Sequence, residues 1–280
     1  MKRLLFGLLV LAIGTVAASA ADLPTYTRAP PPVLPMYIPM YSWTGFYVGG
    51  NVGYGWGNGD TSFSPLPTAA GFIDLAPTTL NPNPKGVLGG AQIGYNWQAG
   101  SWVWGVEADI QGADINGSAI QSPIIQFDGT PFGAGSALTA SEKIDWFGTV
   151  RGRLGYAGAP QVLLYATGGL AYGDVRNTAN SSFLPLGTQQ YPANISGTRF
   201  GWTAGGGVEW AFLGPWSAKF EGLFYDLGTV STIANGIPGL PAGTCGGTGF
   251  CQIGYNWKTT GTIARVGINY RFGGPVVARY

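Results

Sequence analysis

From Trp43 to Phe272 the hydrophobic pattern has a period of two. In residues 43–56 the even positions Phe46, Val48, Val52, Tyr54 and Trp56 are apolar, and the odd positions Gly45, Gly49, Asn51, Gly53 and Gly55 are small or polar. The same alternation runs through 87–98, 102–113, 143–156, 161–173, 199–212, 216–227 and 259–272. Successive side chains of a strand point to opposite faces, so each stretch predicts a strand with one apolar and one polar face. The gaps between them alternate in length: 57–86, 99–101, 114–142, 157–160, 174–198, 213–215 and 228–258. Short gaps such as Gln98-Ala99-Gly100-Ser101 and Leu213-Gly214-Pro215 are tight-turn sequences, and long ones are rich in Gly, Pro, Ser, Thr and Asn.

Charge falls almost entirely on one parity of each stretch, with Asp226, at a strand end, out of phase. Glu107 and Asp109 oppose Trp102, Trp104 and Val106; Lys143, Asp145, Arg151 and Arg153 oppose Ile144, Trp146, Val150 and Leu154. Arg199 and Glu209 oppose Phe200 and Trp202, Lys219 and Glu221 oppose Phe220 and Phe224, and Arg265 and Arg271 oppose Val266 and Tyr270. A soluble lipocalin-like barrel would turn these charges outward, whereas a membrane barrel turns them inward. Gly49, Gly94, Gly105, Gly169, Gly205 and Gly267 share the charged parity. Small residues make room in a narrow lumen but only weaken strands on a wet outer face, which favours charges inside. The expected fold is all-β: an eight-stranded antiparallel up-and-down transmembrane β-barrel with short periplasmic turns and long extracellular loops. Eight strands leave an interior just wide enough for side chains, so the balanced charges should pair into a plug. A proton or ion path along them is the alternative.

The apolar face carries aromatic residues near the strand ends. Trp43, Trp97, Trp102, Trp104, Tyr156, Trp210, Trp216, Tyr270 and Phe272 fall at the turn end, and Trp56, Trp146, Tyr172, Trp202 and Phe224 at the loop end. Two such belts suit the two headgroup levels of a bilayer. Composition agrees with this picture. Charged residues are 10% of the chain, against roughly 25% in soluble domains. Its 48 glycines disfavour helix, and no internal apolar run approaches the ~20 residues of a helical span.

The N-terminus predicts secretion. Lys2 and Arg3 precede the apolar run Leu4–Ile13, and Ala18-Ser19-Ala20 fits a signal-peptidase site, so cleavage is expected between Ala20 and Ala21. The expected organisation is a signal peptide at 1–20, a proline-rich periplasmic leader at 21–42, a barrel at 43–272 and a C-terminal extension at 273–280. The near-neutral charge excludes a nucleic-acid partner, whose phosphates need a basic surface.

Histidine is absent, which removes His-based catalytic triads and most zinc and haem sites. No catalytic, metal or cofactor site is expected. Cys245 and Cys251 lie in the last long gap, and the oxidising periplasm predicts a disulfide between them.

Several segments resemble the outer-membrane immunogenic protein family of small porin-like, OmpA-like barrels. They are ADLP (21–24), WTGFYVGGNVGYGWG (43–57), GGAQIGYNWQ (89–98), YATGGLAYG (165–173), GWTAGGGVEWAF (201–212), KFEGLFYDLG (219–228) and ARVGINYRF (264–272). The resemblance spans nearly the whole chain after residue 20. It implies an eight-stranded barrel in the bacterial outer membrane, exposed at the cell surface, with roles in envelope integrity and host recognition and no catalysis. Capture of haem or another ligand by the loops is compatible with the family, but no ligand residue is identifiable. Barrels of this type end on a terminal-strand aromatic, here Phe272, yet Gly273 to Tyr280 follow. The expected function is a structural and surface-interaction role, and the alternative is a narrow passive channel for small solutes. The expected partners are outer-membrane lipid and lipopolysaccharide, the barrel-assembly machinery and host surface molecules.

Overall fold

A computed structural model of the chain describes residues 41–66, 78–126, 128–183, 189–237 and 251–272. Eight long strands dominate: β1 (Gly45–Pro65), β2 (Lys85–Ala99), β3 (Trp102–Gln121), β4 (Ala137–Ala159), β5 (Val162–Phe183), β6 (Gln189–Leu213), β7 (Trp216–Asn235) and β8 (Gln252–Phe272). Each pairs antiparallel with the next, and β8 returns to β1 from Phe46↔Phe272 to Pro65↔Ile253, which closes the barrel. Over the turn-end half each strand is paired on both sides, the condition for a sheet to cross lipid, whereas towards the loops the β6–β7 ladder stops at Trp202↔Asp226. The turns after β2 and β7's predecessor β6 are tight, and Gly100 (φ 60°) and Gly214 (φ 52°) supply the left-handed residue in each. No helix long and apolar enough to span a membrane occurs among the described residues.

The strands run 15 to 25 residues, well beyond the predicted stretches. They continue into most of what the sequence suggested were long loops. Two short pieces decorate that end: Thr78–Leu80 pairs with β1, and Ile124–Ile125 pairs with Pro131–Phe132 in a small hairpin. Past Trp56, Trp146 and Trp202 the two faces exchange character. Near the turns the outward face is apolar, as at Val52, Ile110 and Val266, whereas near the loops the inward face holds Phe63, Leu138, Tyr255 and Trp257, all fully buried. The outward face there is Ser, Thr and Asn, tied across strands by pairs such as Ser231–Asn256 and Asn235–Gln252. The barrel has one lining of strands but two solvents outside it, lipid for one half and water for the other.

Bulges lie where the faces exchange. One extra residue, Asp145, interrupts β4 between Ile144 and Trp146, and another shift falls between Asp226 and Thr229 on β7. A one-residue insertion reverses every side chain beyond it. That corrects the placement of Lys143 and Asp145. Both face outward, paired at 2.8 Å on the barrel wall, and the inward positions are Glu142 and Ile144.

Trp43 is also corrected. It is not part of the outward belt but is buried, 2% exposed, beneath the turn end of the barrel. The other predicted belt residues face outward, and several touch their neighbours, including Trp102–Tyr156, Trp216–Tyr270 and Trp146–Tyr172. The predicted signal peptide with its Ala20–Ala21 cleavage point lies outside the described residues, as do nearly all of the leader, the 273–280 extension and Cys245. Cys251 is buried.

Candidate functional site

The interior is stacked in tiers, and the turn end is sealed first. Trp43 packs with Val103, Ala157, Leu163, Tyr165 and Ala211. These come from the ends of β3, β4, β5 and β6, where short turns bring the strands together. Tyr41 and Arg271 complete this floor, with the guanidinium 4.1 Å above the Tyr41 ring.

Above the floor is a charged tier. Glu107 and Asp109 on β3 meet Arg151 and Arg153 on β4, Glu209 on β6, Lys219 and Glu221 on β7 and Arg265 on β8. Arg151 reaches three carboxylates: Glu107 at 2.5 Å, Glu221 at 2.9 Å and Asp109 at 3.1 Å. Arg265 bridges Glu221 (2.6 Å) and Asp109 (2.9 Å), Lys219 lies 2.9 Å from Glu107, and Arg153 holds Glu209 at 2.7 Å. Four cations thus face four carboxylates, with side chains 0–4% exposed. Buried ions are tolerable only when paired and hydrogen-bonded, and five strands together pair every ion of this tier, with Arg153 Nε and Arg265 Nη1 left without a hydrogen-bond partner.

Tyr47 belongs to the tier too. Its hydroxyl donates to Glu107 (2.7 Å) and accepts from Arg153 (2.7 Å). The sequence carried a signal for it, because Tyr47 shares the odd parity of Gly49 and Asn51 on β1. Bulky inward groups fit because glycines face them: a Cβ on Gly94 would overlap the Tyr47 ring, and one on Gly207 would meet the Tyr165 hydroxyl at 2.7 Å.

The third tier is apolar, with Leu88, Ile115, Ile144, Phe147, Val175, Leu223 and Ile263. Beyond it lies an isolated polar layer. Glu142 is buried, lies against Gly59 and interacts with Thr259, and Arg199 donates to Thr259 at 3.3 Å. Burial pushes the Glu142 carboxyl up to about 7, although Arg199 and Thr259 pull the other way. Arg199 therefore does face inward but belongs to this layer and not to the charged tier. A last apolar tier, including Phe63, Leu138, Phe183, Tyr191, Tyr255 and Trp257, closes the loop end.

No group of three or more metal-ligating side chains occurs among the described residues. The carboxylates of the charged tier are occupied by cations and shut off from solvent.

Comparison with known proteins agrees with this architecture. The outer membrane protein beta-barrel domain model matches residues 6–272. The chain belongs to that family. Among relatives of the barrel family, the 31 kDa outer-membrane immunogenic protein of Brucella melitensis is 32% identical over 266 residues, covering 94% of this chain and 97% of its own. A 22 kDa outer membrane protein of Rhizobium leguminosarum is 34% identical over 173 residues, 61% of this chain and 58% of the relative. Of solved structures, the outer membrane protein OprG of Pseudomonas aeruginosa aligns with a TM-score of 0.41 at 10% identity, covering 84% of this chain and 98% of that one. Family membership makes this a bacterial outer-membrane β-barrel protein.

Proposed function

We propose that the protein is a non-conducting anchor of the outer membrane, which works through its outer wall and loops and not through its lumen. The loop end faces the cell exterior and the turn end the periplasm, the arrangement that long loops and short turns favour in such barrels. One observation carries the reading. Three apolar tiers interleave with polar ones along the lumen, from Trp43 through Leu88 and Ile263 to Trp257. An ion on this path would shed its water at each apolar tier and displace a paired charge in between. The role is structural and interactive: the barrel is assembled through its terminal strand β8, sits in lipid and lipopolysaccharide, and offers its loops to molecules outside, host surfaces included. Catalysis is no part of it. Single-channel recording of the refolded protein in a planar bilayer tests the reading. The expected result is silence, and steady ion-selective steps would replace it with the narrow-channel reading.

A further inference from the structure

One row of outward side chains crosses four strands just beyond the loop-end aromatic belt. The register places Lys85, Asn116, Lys143 and Arg176 side by side on β2, β3, β4 and β5. Lys143 and Arg176 are directly opposed, two cations on neighbouring strands, and like charges so placed destabilise a sheet. Asp145 relieves them in part, at 2.8 Å from Lys143 and 3.7 Å from Arg176. Both cations remain half exposed, 45% and 53%. Asp114 and Asp174 also face outward nearby, so with Asp145 three carboxylates stand among the three cations, and the Lys143–Arg176 pair is where two cations of the row adjoin.

What lies above and below this row defines the rest of the occupant. Below it, past Trp146 and Tyr172, the wall is aliphatic, with Val87, Val150 and Leu170 at 50–64% exposure. Two residues above it runs a second row, Ser118, Ser141 and Thr178, made of hydroxyls alone. With a rise of ~3.3 Å per residue and a strand tilt of ~40°, the cations stand ~8–10 Å above the belt, the depth of a lipid headgroup. On the far wall Lys258 is directly opposed by Asp60, so no free pair of cations is presented there.

We propose that the β2–β5 wall docks a phosphorylated glycolipid of the outer leaflet. Its acyl chains lie on the aliphatic belt, its phosphate sits across Lys143 and Arg176 with Lys85 beside it, and its sugars meet the hydroxyl row. The phosphate relieves the opposed cations, and its charge-assisted hydrogen bonds are the strongest this wall can make. The inference rests on the orientation proposed above, with the loop end outward.

Native mass spectrometry of the whole folded protein in detergent tests it. The probes are a bis-phosphorylated, acylated glucosamine disaccharide and the same lipid stripped of phosphate. The wild type is expected to retain the phosphorylated lipid, and K143Q/R176Q to weaken that retention at least ten-fold while K258Q leaves it unchanged. Equal retention by K143Q/R176Q, or equal retention of the dephosphorylated lipid, overturns the site. Orientation is read separately, by labelling Ile120→Cys in intact cells with a membrane-impermeant maleimide, in a chain whose Cys245 and Cys251 are replaced by Ser. Labelling together with unchanged lipid binding by K143Q/R176Q removes the docking site alone. Absence of labelling removes the orientation and the docking site together.

Discussion

Arg151 Nη2 lies 2.5 Å from Glu107 Oε1 on the adjacent strand, and both side chains are shut off from solvent. Arg151 is also the only cation of the tier bonded to Glu107, Asp109 and Glu221 through hydrogen bonds from its own guanidinium. Replacing it with Ala leaves those carboxylates short of a partner in the middle of the barrel. The expected cost is about 3–5 kcal/mol, the usual penalty for breaking a buried pair from one side. Urea unfolding of the refolded variant measures it, and a midpoint equal to that of the wild type would show that the tier does not hold the barrel.

Glycine opposite Tyr47 gives a second expectation. A Cβ at Gly94 has no space, because the Tyr47 ring already occupies it. Gly94→Val should therefore push Tyr47 off Glu107 and Arg153 and cost about 1–3 kcal/mol from overpacking alone. Combining it with Tyr47→Phe should give less than the sum of the two single losses, since both disturb the same hydroxyl. Strict additivity in the unfolding midpoints would mean that the two residues do not meet.

Glu142 predicts a pH dependence. Its carboxyl titrates near 4.5 in the unfolded chain and at about 7 in the folded one, because burial disfavours the charged form. Between those values the folded state keeps a proton that the unfolded state has lost. The associated stability is present below pH 4.5, falls as pH rises towards about 7 and is flat above, a loss of about 3 kcal/mol from this group. Arg199 and Thr259 lie beside the carboxyl and favour its charged form, while the charge of Asp60 opposes it. In Glu142→Gln the slope over this window should be smaller by that amount. A variant whose stability tracks the wild type from pH 4.5 to 7 would remove Glu142 as its source.

Alternation makes the barrel legible in the sequence only where no bulge intervenes. Glu107, Arg151, Arg153, Lys219 and Arg265 sit on uninterrupted stretches between the two aromatic belts, where alternation alone tells inside from outside. Lys143 and Asp145 sit on the far side of a bulge whose extra residue is Asp145 itself, and nothing in a polar tripeptide around Ile144 announces a change of phase. The same bulge turns Glu142 inward, against the parity of its stretch. The loop-end strands look like loops in the sequence because Ser, Thr, Asn and Gly are both turn residues and the right outward face for a strand in water. Their inward partners, Phe63, Leu138 and Tyr255, did alternate with them, but with the polarity reversed. Trp43 looked like a belt residue by type and position, whereas it precedes β1 and its ring turns under the barrel.

Trp43 separates stability from closure. Its indole fills the floor between Val103, Leu163 and Ala211, and truncation to Ala leaves a cavity with no neighbour able to collapse into it from the paired strands. The expected loss is about 3–5 kcal/mol, the range for removing a large aromatic from a core. Conductance should nevertheless stay absent. An ion entering through the opened floor still meets four paired cations and carboxylates, and then the apolar tier of Leu88, Phe147, Leu223 and Ile263. A planar-bilayer recording of Trp43→Ala checks this directly. Silence with a lowered unfolding midpoint fits a lumen closed at several levels. Steady openings would mean that the floor alone was the gate and that the tiers above it yield to ions.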